Sequence, residues 1–573
     1  MKTISLIKVA VLLLAGVLPT VCSAGTYTLE IAKKKVNLTG KTVEKMAING
    51  QIPGPTLHFK EGEQVTIHVT NKMDVPTSVH WHGMLVPAEM DGVPGLNGFM
   101  GIMPGQTFTY TYTVRQNGTY WYHSHSQLQE QEGLYGSLVV SPKGEDPVKA
   151  DRDYVVVLSD FTDESGDDVL GHLKADAGYY NYAKRTLADF FHDVRKKGWS
   201  AAWADRKAWG QMRMDPTDIA DVSGYTFLMN GKTPDQNWTG IFKPGERVRL
   251  RFINASAMSF YDVWIPGLKM QVVQADGRGV EPVQVDEFRF GVAETYDVIV
   301  QPQEEAAYTI AAESVDRSGF AIGTLAPREG MHGPQPEARP RTLLTMADMG
   351  MTHDMDGMDM AGMDMAGMEG MGGMHDMHHM HGMHHAMPAQ KADDVARGWA
   401  DASTPQGHKA LSYADLRSLE PQSDVRPPER EILVTLGGNM ERYVWTINGE
   451  KFEKIGPIEL KYGERVRLKF VNETMMAHPM HLHGMFVQLE NGQPAGRLPD
   501  KHTIIVPPGQ SYSVLLTADE PGEWAFHCHL LYHMASGMMT KAVVARLSED
   551  AVPEKLRKKV KKTEAGEGHS HAH

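Results

Sequence analysis

The sequence predicts an all-β protein made of three Greek-key β-sandwich domains. Three segments each combine an Asn-Gly turn, a Gly-Glu turn and an alternating strand ending in Asn, at residues 48–71, 229–256 and 447–474. Strict alternation of apolar and polar side chains is the signature of a half-buried strand. A second matching segment closes each repeat, at residues 104–126, 294–314 and 508–530. Short strands joined by Pro and Gly turns are typical of Greek-key sandwiches.

The three repeats set the domain boundaries. A chain of 573 residues is too long for a single hydrophobic core. We place the domains at 25–145, 150–345 and 428–548, with a helical insertion at 165–222 in the second. Residues 346–427 are predicted to be a flexible, disordered linker, because its Met- and His-rich part is dense in Gly and Asp and lacks other large hydrophobic side chains.

Both ends of the chain lie outside these domains. Lys2 and Lys8, an apolar run over 9–21 and small residues up to Ala24 predict a secretory signal peptide at 1–24. No other apolar run is long enough for a transmembrane anchor, so we expect a soluble periplasmic monomer. The tail, 549–573, is charged and ends in histidines. A net charge of −14 argues against nucleic acid as a partner.

A single cysteine carries the chemistry. The chain has two, Cys22 and Cys528, and the first leaves with the signal peptide, so no internal disulfide can form. Histidines flank Cys528, and His533 and Met538 follow it. A Cys thiolate, two His and a weak axial Met make a blue-copper electron-transfer site, and His478 is the natural candidate for the missing ligand.

Eight further histidines form four His-x-His pairs. Residues i and i+2 share one face of a strand, so each pair can reach adjacent metal ions. The pairs lie in the first and third domains at matching places in the repeat: His80 and His82, His123 and His125, His481 and His483, His527 and His529. Eight imidazoles suit three metal ions. The second repeat has Ala311-Ala312-Glu313 at this place, so we predict a metal-free spacer domain.

Four motifs resemble the copper signatures of multicopper oxidases, the family of laccases and ascorbate oxidase. They are HWHG at 80–83, WYHSH at 121–125, HPMHLHG at 478–484 and HCHLLYHMASGM at 527–538. The resemblance covers nearly the whole mature chain. The Met-rich stretch and the phrase at 459–486 are similar to the bacterial periplasmic copper-resistance (CopA/PcoA) type. The resemblance to multicopper oxidases implies cupredoxin-like domains and four copper ions: one type 1, one type 2 and two type 3.

The resemblance also implies a ligand for every position. The type 1 copper would have His478, Cys528, His533 and Met538. The type 2 copper would have His80 and His481. One type 3 copper would have His82, His123 and His527, and the other His125, His483 and His529. Two features depart from the family: the leader lacks a twin-arginine pair, and Leu531, Tyr532 and Met534 stand where some relatives have an acid.

Further residues bear on protons and substrate. Asp91, in the stretch EMDGVPG, stands where the family often has an acid that supplies protons to the copper cluster. Fifteen of the 36 methionines lie between Met346 and Met387, interleaved with seven histidines. Soft thioethers select Cu(I). We therefore expect Cu(I) to bind at Met355, Met358, Met360, Met363, Met365, Met368, Met475 and Met476.

Three functions follow as alternatives. The first is a periplasmic cuprous oxidase in copper resistance, with Cu(I) and O₂ as substrates and periplasmic copper donors as partners. The second is a laccase-like phenol oxidase. The third is a copper-sequestering protein whose oxidase activity is secondary.

Overall fold

The computed structural model describes residues 24–212, 215–341, 343–344, 396, 404–452 and 454–545. Residues 1–23 of the predicted signal peptide, the Met-rich stretch and the charged tail lie outside the described residues. No helix in the described ranges has the length and apolar character needed to cross a bilayer.

Eight strands form the first pair of sheets. They are β1 Ala24–Asn37, β2 Thr42–Ile48, β3 Gly54–Lys60, β4 Gln64–Asn71, β5 His80–His82, β6 Thr107–Thr113, β7 Gly118–His123 and β8 Tyr135–Ser141. The sheet orders are β2-β1-β4-β6 and β3-β8-β7-β5. The alternation read from the sequence is visible in β4, where Val65, Ile67 and Val69 are fully buried between more exposed neighbours.

Eleven strands form the second pair. They are β9 Arg152–Phe161, β10 Thr226–Met229, β11 Trp238–Ile241, β12 Val248–Asn254, β13 Tyr261–Trp264, β14 Met270–Ala275, β15 Arg278–Val285, β16 Glu287–Phe290, β17 Thr295–Val300, β18 Tyr308–Ser314 and β19 Phe320–Ala326. The orders are β10-β9-β12-β17-β14-β15 and β11-β19-β18-β13-β16.

The third pair repeats the second. Its strands are β20 Arg430–Asn439, β21 Val444–Ile447, β22 Ile458–Lys461, β23 Arg465–Asn472, β24 His478–Leu482, β25 Val487–Leu489, β26 Asp500–Lys501, β27 Thr503–Val506, β28 Ser511–Thr517, β29 Gly522–Cys528 and β30 Met539–Ala545. The orders are β21-β20-β23-β28-β25-β26 and β22-β30-β29-β24-β27. The all-β prediction, with cupredoxin-like sandwiches, is confirmed.

Four α-helices are described, and three of them form the predicted insertion. They are α1 Gly166–Ala175, α2 Leu187–Lys197, α3 Trp199–Met212 and α4 Leu531–Ala535. Thr186 and Asp189 form a capping box at the start of α2. Gly198, at φ 87°, ends that helix in a conformation that favours glycine.

The final part of the predicted linker, 404–427, is packed against the second and third domains. Leu411, Tyr413 and Leu416 are buried. The Tyr413 hydroxyl donates to Glu294 at 2.6 Å, and Asn491 Nδ2 donates to Tyr413 O at 2.6 Å. These side chains are part of the hydrophobic core that the second and third domains share. The prediction of a flexible linker is therefore corrected over residues 404–427.

Candidate metal centre

Two strand pairs at equivalent places in the first and third domains carry the histidine motifs. Across β5 and β7, His80 lies opposite His123. Across β24 and β29, His481 lies opposite His527 and Met480 opposite Cys528. The corresponding strands of the second domain, β13 and β18, place Val263 opposite Ala312. Within the described residues, neither of these two strands has a histidine.

The eight paired histidines meet in the buried interface between the first and third domains. Every one is at most 9% exposed. Their ligand atoms fall into groups of three, within 4.8 Å of one another: His80, His82 and His481; His82, His123 and His529; His125, His483 and His527. In the third group, His527 Nε2 lies 3.1 Å from His483 Nε2 and 3.3 Å from His125 Nε2.

These groups correct one predicted detail: His527 and His529 exchange places. The spacing of a His-x-His pair fixes a shared face but not which member is nearer a given partner. Strand pairing decides this, because antiparallel β24 brings His483 beside Ala525, through an N–H···O bond of 3.0 Å. His529 instead lies beside Pro479, at the opposite end of β24, with a bond of 2.7 Å. His483 is therefore near His527, and His529 joins His82 and His123.

The donor atoms fit copper ions. Burial, and then the neighbouring imidazoles, lower the pKa of His82, His125 and His481 well below the ordinary value, so the rings are neutral and keep a lone pair. Five buried ring nitrogens of the paired histidines have no hydrogen-bond partner among the described residues: His80 Nε2, His82 Nδ1, His123 Nε2, His481 Nε2 and His529 Nε2. Buried polar atoms are normally paired. A set of unpaired, neutral imidazoles is able to hold metal ions.

Two carboxylates flank the histidines on different sides. Asp91 Oδ2 lies 2.9 Å from His483 Nδ1, and Asp91 Oδ1 lies 3.2 Å from His80 Nδ1. A Cβ on the next residue, Gly92, would collide with the Val79 carbonyl, so glycine lets Asp91 approach β5. Glu130 Oε2 lies 3.1 Å from His123 Nδ1, and Glu130 Oε1 lies 3.9 Å from His529 Nδ1. Burial, followed by Asp160, raises the pKa of Glu130 well above its usual value.

A buried charge network from the second domain supports the same histidines. Asp276 Oδ2 accepts from the backbone N–H groups of His502 and Thr503, each at 3.1 Å. It also lies 3.1 Å from Lys501 Nζ, which is 3.0 Å from Glu294. Burial acts against ionisation of Lys501, but Asp276 and Glu294 raise its pKa overall.

His502 links this network to the metal ligands. Its Nδ1 lies 3.2 Å from His82 Nε2, and its carbonyl oxygen lies 2.7 Å from His481 Nδ1. The other ring nitrogen of each histidine, His82 Nδ1 and His481 Nε2, has no hydrogen-bond partner among the described residues. Outer partners of this kind fix ring orientation and tautomer. Among its described residues the second domain has no histidine cluster of its own, but its Asp276 holds the backbone of His502 beside the paired histidines.

A separate group lies on the other face of β29. Cys528 Sγ lies 3.5 Å from His478 Nδ1 and 3.7 Å from His533 Nδ1, and the two nitrogens are 3.2 Å apart. Met538 is fully buried beside them, since its N–H donates to His533 O and its carbonyl accepts from Cys528 N. Burial raises the pKa of the Cys528 thiol, so a bound cation is needed to make it a thiolate.

Both histidines of this group are held at their outer nitrogens. His478 Nε2 lies 2.7 Å from Thr474 Oγ1, and His533 Nε2 lies 2.8 Å from Asp221 Oδ2. The Trp445 ring stacks on His533 at 3.8 Å between centroids. Asp221 also accepts from the Tyr443 hydroxyl at 2.6 Å. His533 is consequently shut off from solvent on the side away from Cys528.

The predicted Cu(I) methionines divide into two sets. Met475 and Met476 are 3% and 4% exposed and belong to the hydrophobic core. Both side chains are therefore buried in the third domain, and Cu(I) binding by them stays a prediction. The others lie outside the described residues.

Sequence reasoning missed Glu130, Asp221, Asp276 and His502. None belongs to a recognisable motif. Asp221 lies near the end of segment 165–222, for which the sequence predicts only a helical insertion. The lack of an acidic residue after the HCH motif, where some relatives have one, was the single available signal. It implied a replacement acid elsewhere without locating Glu130.

Comparison with known proteins agrees with the fold. Sequence profiles described as multicopper oxidase match residues 30–145, 185–327 and 425–548. The chain belongs to the multicopper oxidase family, and it is an oxidoreductase that couples substrate oxidation to reduction of O₂.

Particular relatives narrow the comparison. The chain is 50% identical over 560 residues to Copper resistance protein A of Escherichia coli, covering 90% of this chain and 92% of that protein. It is 48% identical to Copper resistance protein A of Pseudomonas syringae pv. tomato, covering 92% and 93%. The crystal structure of Fet3p, a multicopper oxidase that functions in iron import, shares the fold with a TM-score of 0.64 and 19% identity, covering 96% and 97%.

Proposed function

We propose that this protein is a periplasmic cuprous oxidase that serves copper resistance. Four Cu(I) ions would each give up one electron, and one O₂ with four protons would become two waters. The relatives described as copper resistance proteins support this proposal. The observation that carries it is the enclosure of His533 behind Asp221. A periplasmic protein that donates Cu(I) is the expected partner.

The proposal includes four copper ions with corrected ligand sets. The type 1 ion would bind His478, Cys528, His533 and Met538, and the type 2 ion His80 and His481. The type 3 pair would bind one ion through His82, His123 and His529, and the other through His125, His483 and His527. Bound copper would supply the one-electron redox changes and the reduction of O₂.

The chain's own residues would carry electrons between these copper sites and supply protons to the cluster. Cys528 lies between His527 and His529 in the chain, at the end of β29, so the backbone would give a covalent route from the type 1 site to the cluster. Asp91, 2.9 Å from His483, would exchange protons on one side of the cluster. Glu130, whose pKa is raised by burial, would hold a proton beside His123 on another side.

The surroundings of His533 favour a small cation over a phenol as the electron donor. The ring is fully buried, with Asp221 at its Nε2 and Trp445 against its face. A phenol could therefore not touch this histidine directly. Asp221 Oδ1 has no hydrogen-bond partner among the described residues, although Asp221 is only 1% exposed. A buried, unpaired carboxylate oxygen attracts a cation.

Two further aspartates, Asp218 and Asp215, lie close to Asp221. Burial, and then the charges of Asp221 and Asp215, raise the pKa of Asp218 to about 8. Asp218 is therefore mainly protonated at neutral pH, and the negative charge of Asp221 and Asp215 repels anions. It also stabilises a positive ion that approaches His533.

Turnover of Cu(I) and of a phenol by one copper-loaded preparation tests the proposal. We expect a higher kcat/KM for Cu(I), and we expect deletion of 346–387 to weaken Cu(I) oxidation more than oxidation of a bulky dye. Equal losses on both substrates would contradict the role of the methionines. A higher kcat/KM for the phenol would overturn the cuprous assignment.

A laccase-like phenol oxidase is the second candidate, and a cavity favours it. The cavity has a volume of about 1010 Å³. Its lining includes Tyr443, Phe452 and Met534, together with the cationic side chains of Lys174 and Arg442. An aromatic anion would fit this lining. Copper sequestration, the third alternative, predicts no steady O₂ consumption with Cu(I). Steady consumption that Cys528→Ser abolishes would exclude it.

A further inference from the structure

The hairpin of α2 and α3 presents apolar side chains to solvent. Leu187, Phe191, Trp199 and Trp203 are 78%, 53%, 61% and 58% exposed. Contiguous exposed apolar surface of this kind marks an interaction site. We call these four residues the aromatic face.

The aromatic face is held in place from within the hairpin. The Phe190 ring lies 5.4 Å from the Trp199 ring and 6.3 Å from the Trp203 ring, between centroids. Arg206 lies over Phe190 at 5.9 Å. The opposite side of α3 is anchored, because Ala202 and Trp209 are buried. The two exposed tryptophans are four residues apart and therefore adjacent on the helix surface.

Charge sets the hairpin apart from the rest of the chain. Residues 187–212 contain five basic side chains, Arg195, Lys196, Lys197, Arg206 and Lys207, against three aspartates, whereas the whole chain has a net charge of −14. The partner of the aromatic face should thus combine apolar or polarisable groups with negative charge.

The chain itself delivers such a partner to this place. Leu344 is buried, and its N–H donates to Pro216 O at 2.8 Å, four residues beyond the end of α3. Met346 follows two residues later. Residues 346–387 contain fifteen Met and seven Asp or Glu, with no Lys or Arg.

We propose that segment 346–387 docks on the aromatic face of the α2–α3 hairpin. Thioethers pack favourably against aromatic rings, and the acidic side chains complement the basic ones. The reach is sufficient, because α3 is about 21 Å long at ~1.5 Å per residue. About seven extended residues cover that length at ~3.3 Å each. The tether also raises the local concentration of the segment to roughly the millimolar range. The proposal does not depend on the substrate of the enzyme.

The test uses the copper-loaded protein with and without residues 346–387, and a synthetic peptide of that sequence. We expect the peptide to bind the deletion protein, as measured by calorimetry, and to bind the full chain at least ten-fold more weakly because its own segment occupies the face. In the deletion protein, Trp199→Ala with Trp203→Ala should weaken peptide binding at least ten-fold. Circular dichroism would verify that this double variant remains folded.

A matched control uses exposed apolar residues elsewhere. Leu433 and Tyr462 are 53% and 46% exposed. Replacing both by Ala should leave peptide binding unchanged. Failure of the peptide to bind the deletion protein, or equal binding by the tryptophan and control variants, would overturn the proposal. Binding of the full chain to anionic lipid vesicles through Trp199 and Trp203 would also overturn it, by assigning the face to a membrane.

Discussion

Replacing Asp276 by Asn tests whether the second domain orients the copper ligands. The change keeps the size of the side chain and removes its charge. Asp276 is fully buried and contacts Lys501 Nζ and the backbone N–H groups of Thr295, His502 and Thr503, each at 3.1 Å. Lys501 would keep only Glu294 as an ionic partner. Removing one member of a buried ion pair costs about 3–5 kcal/mol.

Two measurements follow from this cost. The thermal midpoint of the copper-free protein should fall by roughly 6–20 °C, if the affected unit melts as a domain of 150–250 residues. Because His502 contacts both His82 and His481, loss of its anchor should also reduce copper bound at the cluster. Copper analysis should show fewer than four ions per chain. The visible absorption of the Cys528 site should stay unchanged.

A control separates orientation from general destabilisation. Asp262 is also buried and paired within the second domain, to Arg289 at 2.8 Å and Arg317 at 2.7 Å. Asp262→Asn should lower the midpoint similarly and leave copper content intact. Equal copper loss in both variants, or full copper occupancy in Asp276→Asn, would refute the positioning role.

Three further predictions concern single carboxylates. Asp221→Asn should lower kcat/KM for Cu(I) by roughly ten-fold or more, because one charge-assisted hydrogen bond contributes about that much. The loss of kcat/KM for a phenol should be smaller. Equal losses for the two substrates in steady-state assays would contradict the prediction. Glu130→Gln should slow reoxidation of the reduced enzyme by O₂ by roughly 10²-fold in stopped-flow measurements, whereas Glu132→Gln, at a residue paired with Lys45, should not. Asp218 has its pKa raised to about 8 by burial, so between its unfolded value of 3.8 and 8 the folded state keeps a proton that the unfolded state loses. The stability that this group contributes is present below pH 3.8 and is lost as the pH rises towards 8. Asp218→Asn should therefore raise the free energy of unfolding of the copper-free protein at pH 8 and not at pH 3.5. The reverse pattern in chemical denaturation would disprove the prediction.

The sequence was sufficient for features that repeat. Three copies of one strand pattern gave the sandwiches, and a cysteine within the fourth histidine pair distinguished one strand from its two counterparts. Features that depend on strand register or on distant contacts were not readable. His527 and His529 are equivalent in spacing, and only the pairing with β24 separates them. His82 and His502 are 420 residues apart, and no local pattern connects them.

That separation has a consequence for the order of assembly. Four cluster histidines lie before residue 126 and four after residue 480. A chain that folds from its N-terminus as it emerges has only half of the ligands until its last domain docks. Closing so long a loop is slow. Copper that arrives early meets an incomplete set of imidazoles, and the final step of maturation is the docking of the third domain on the first. Truncation anywhere before residue 529 therefore leaves a protein that can fold in part and cannot complete its cluster.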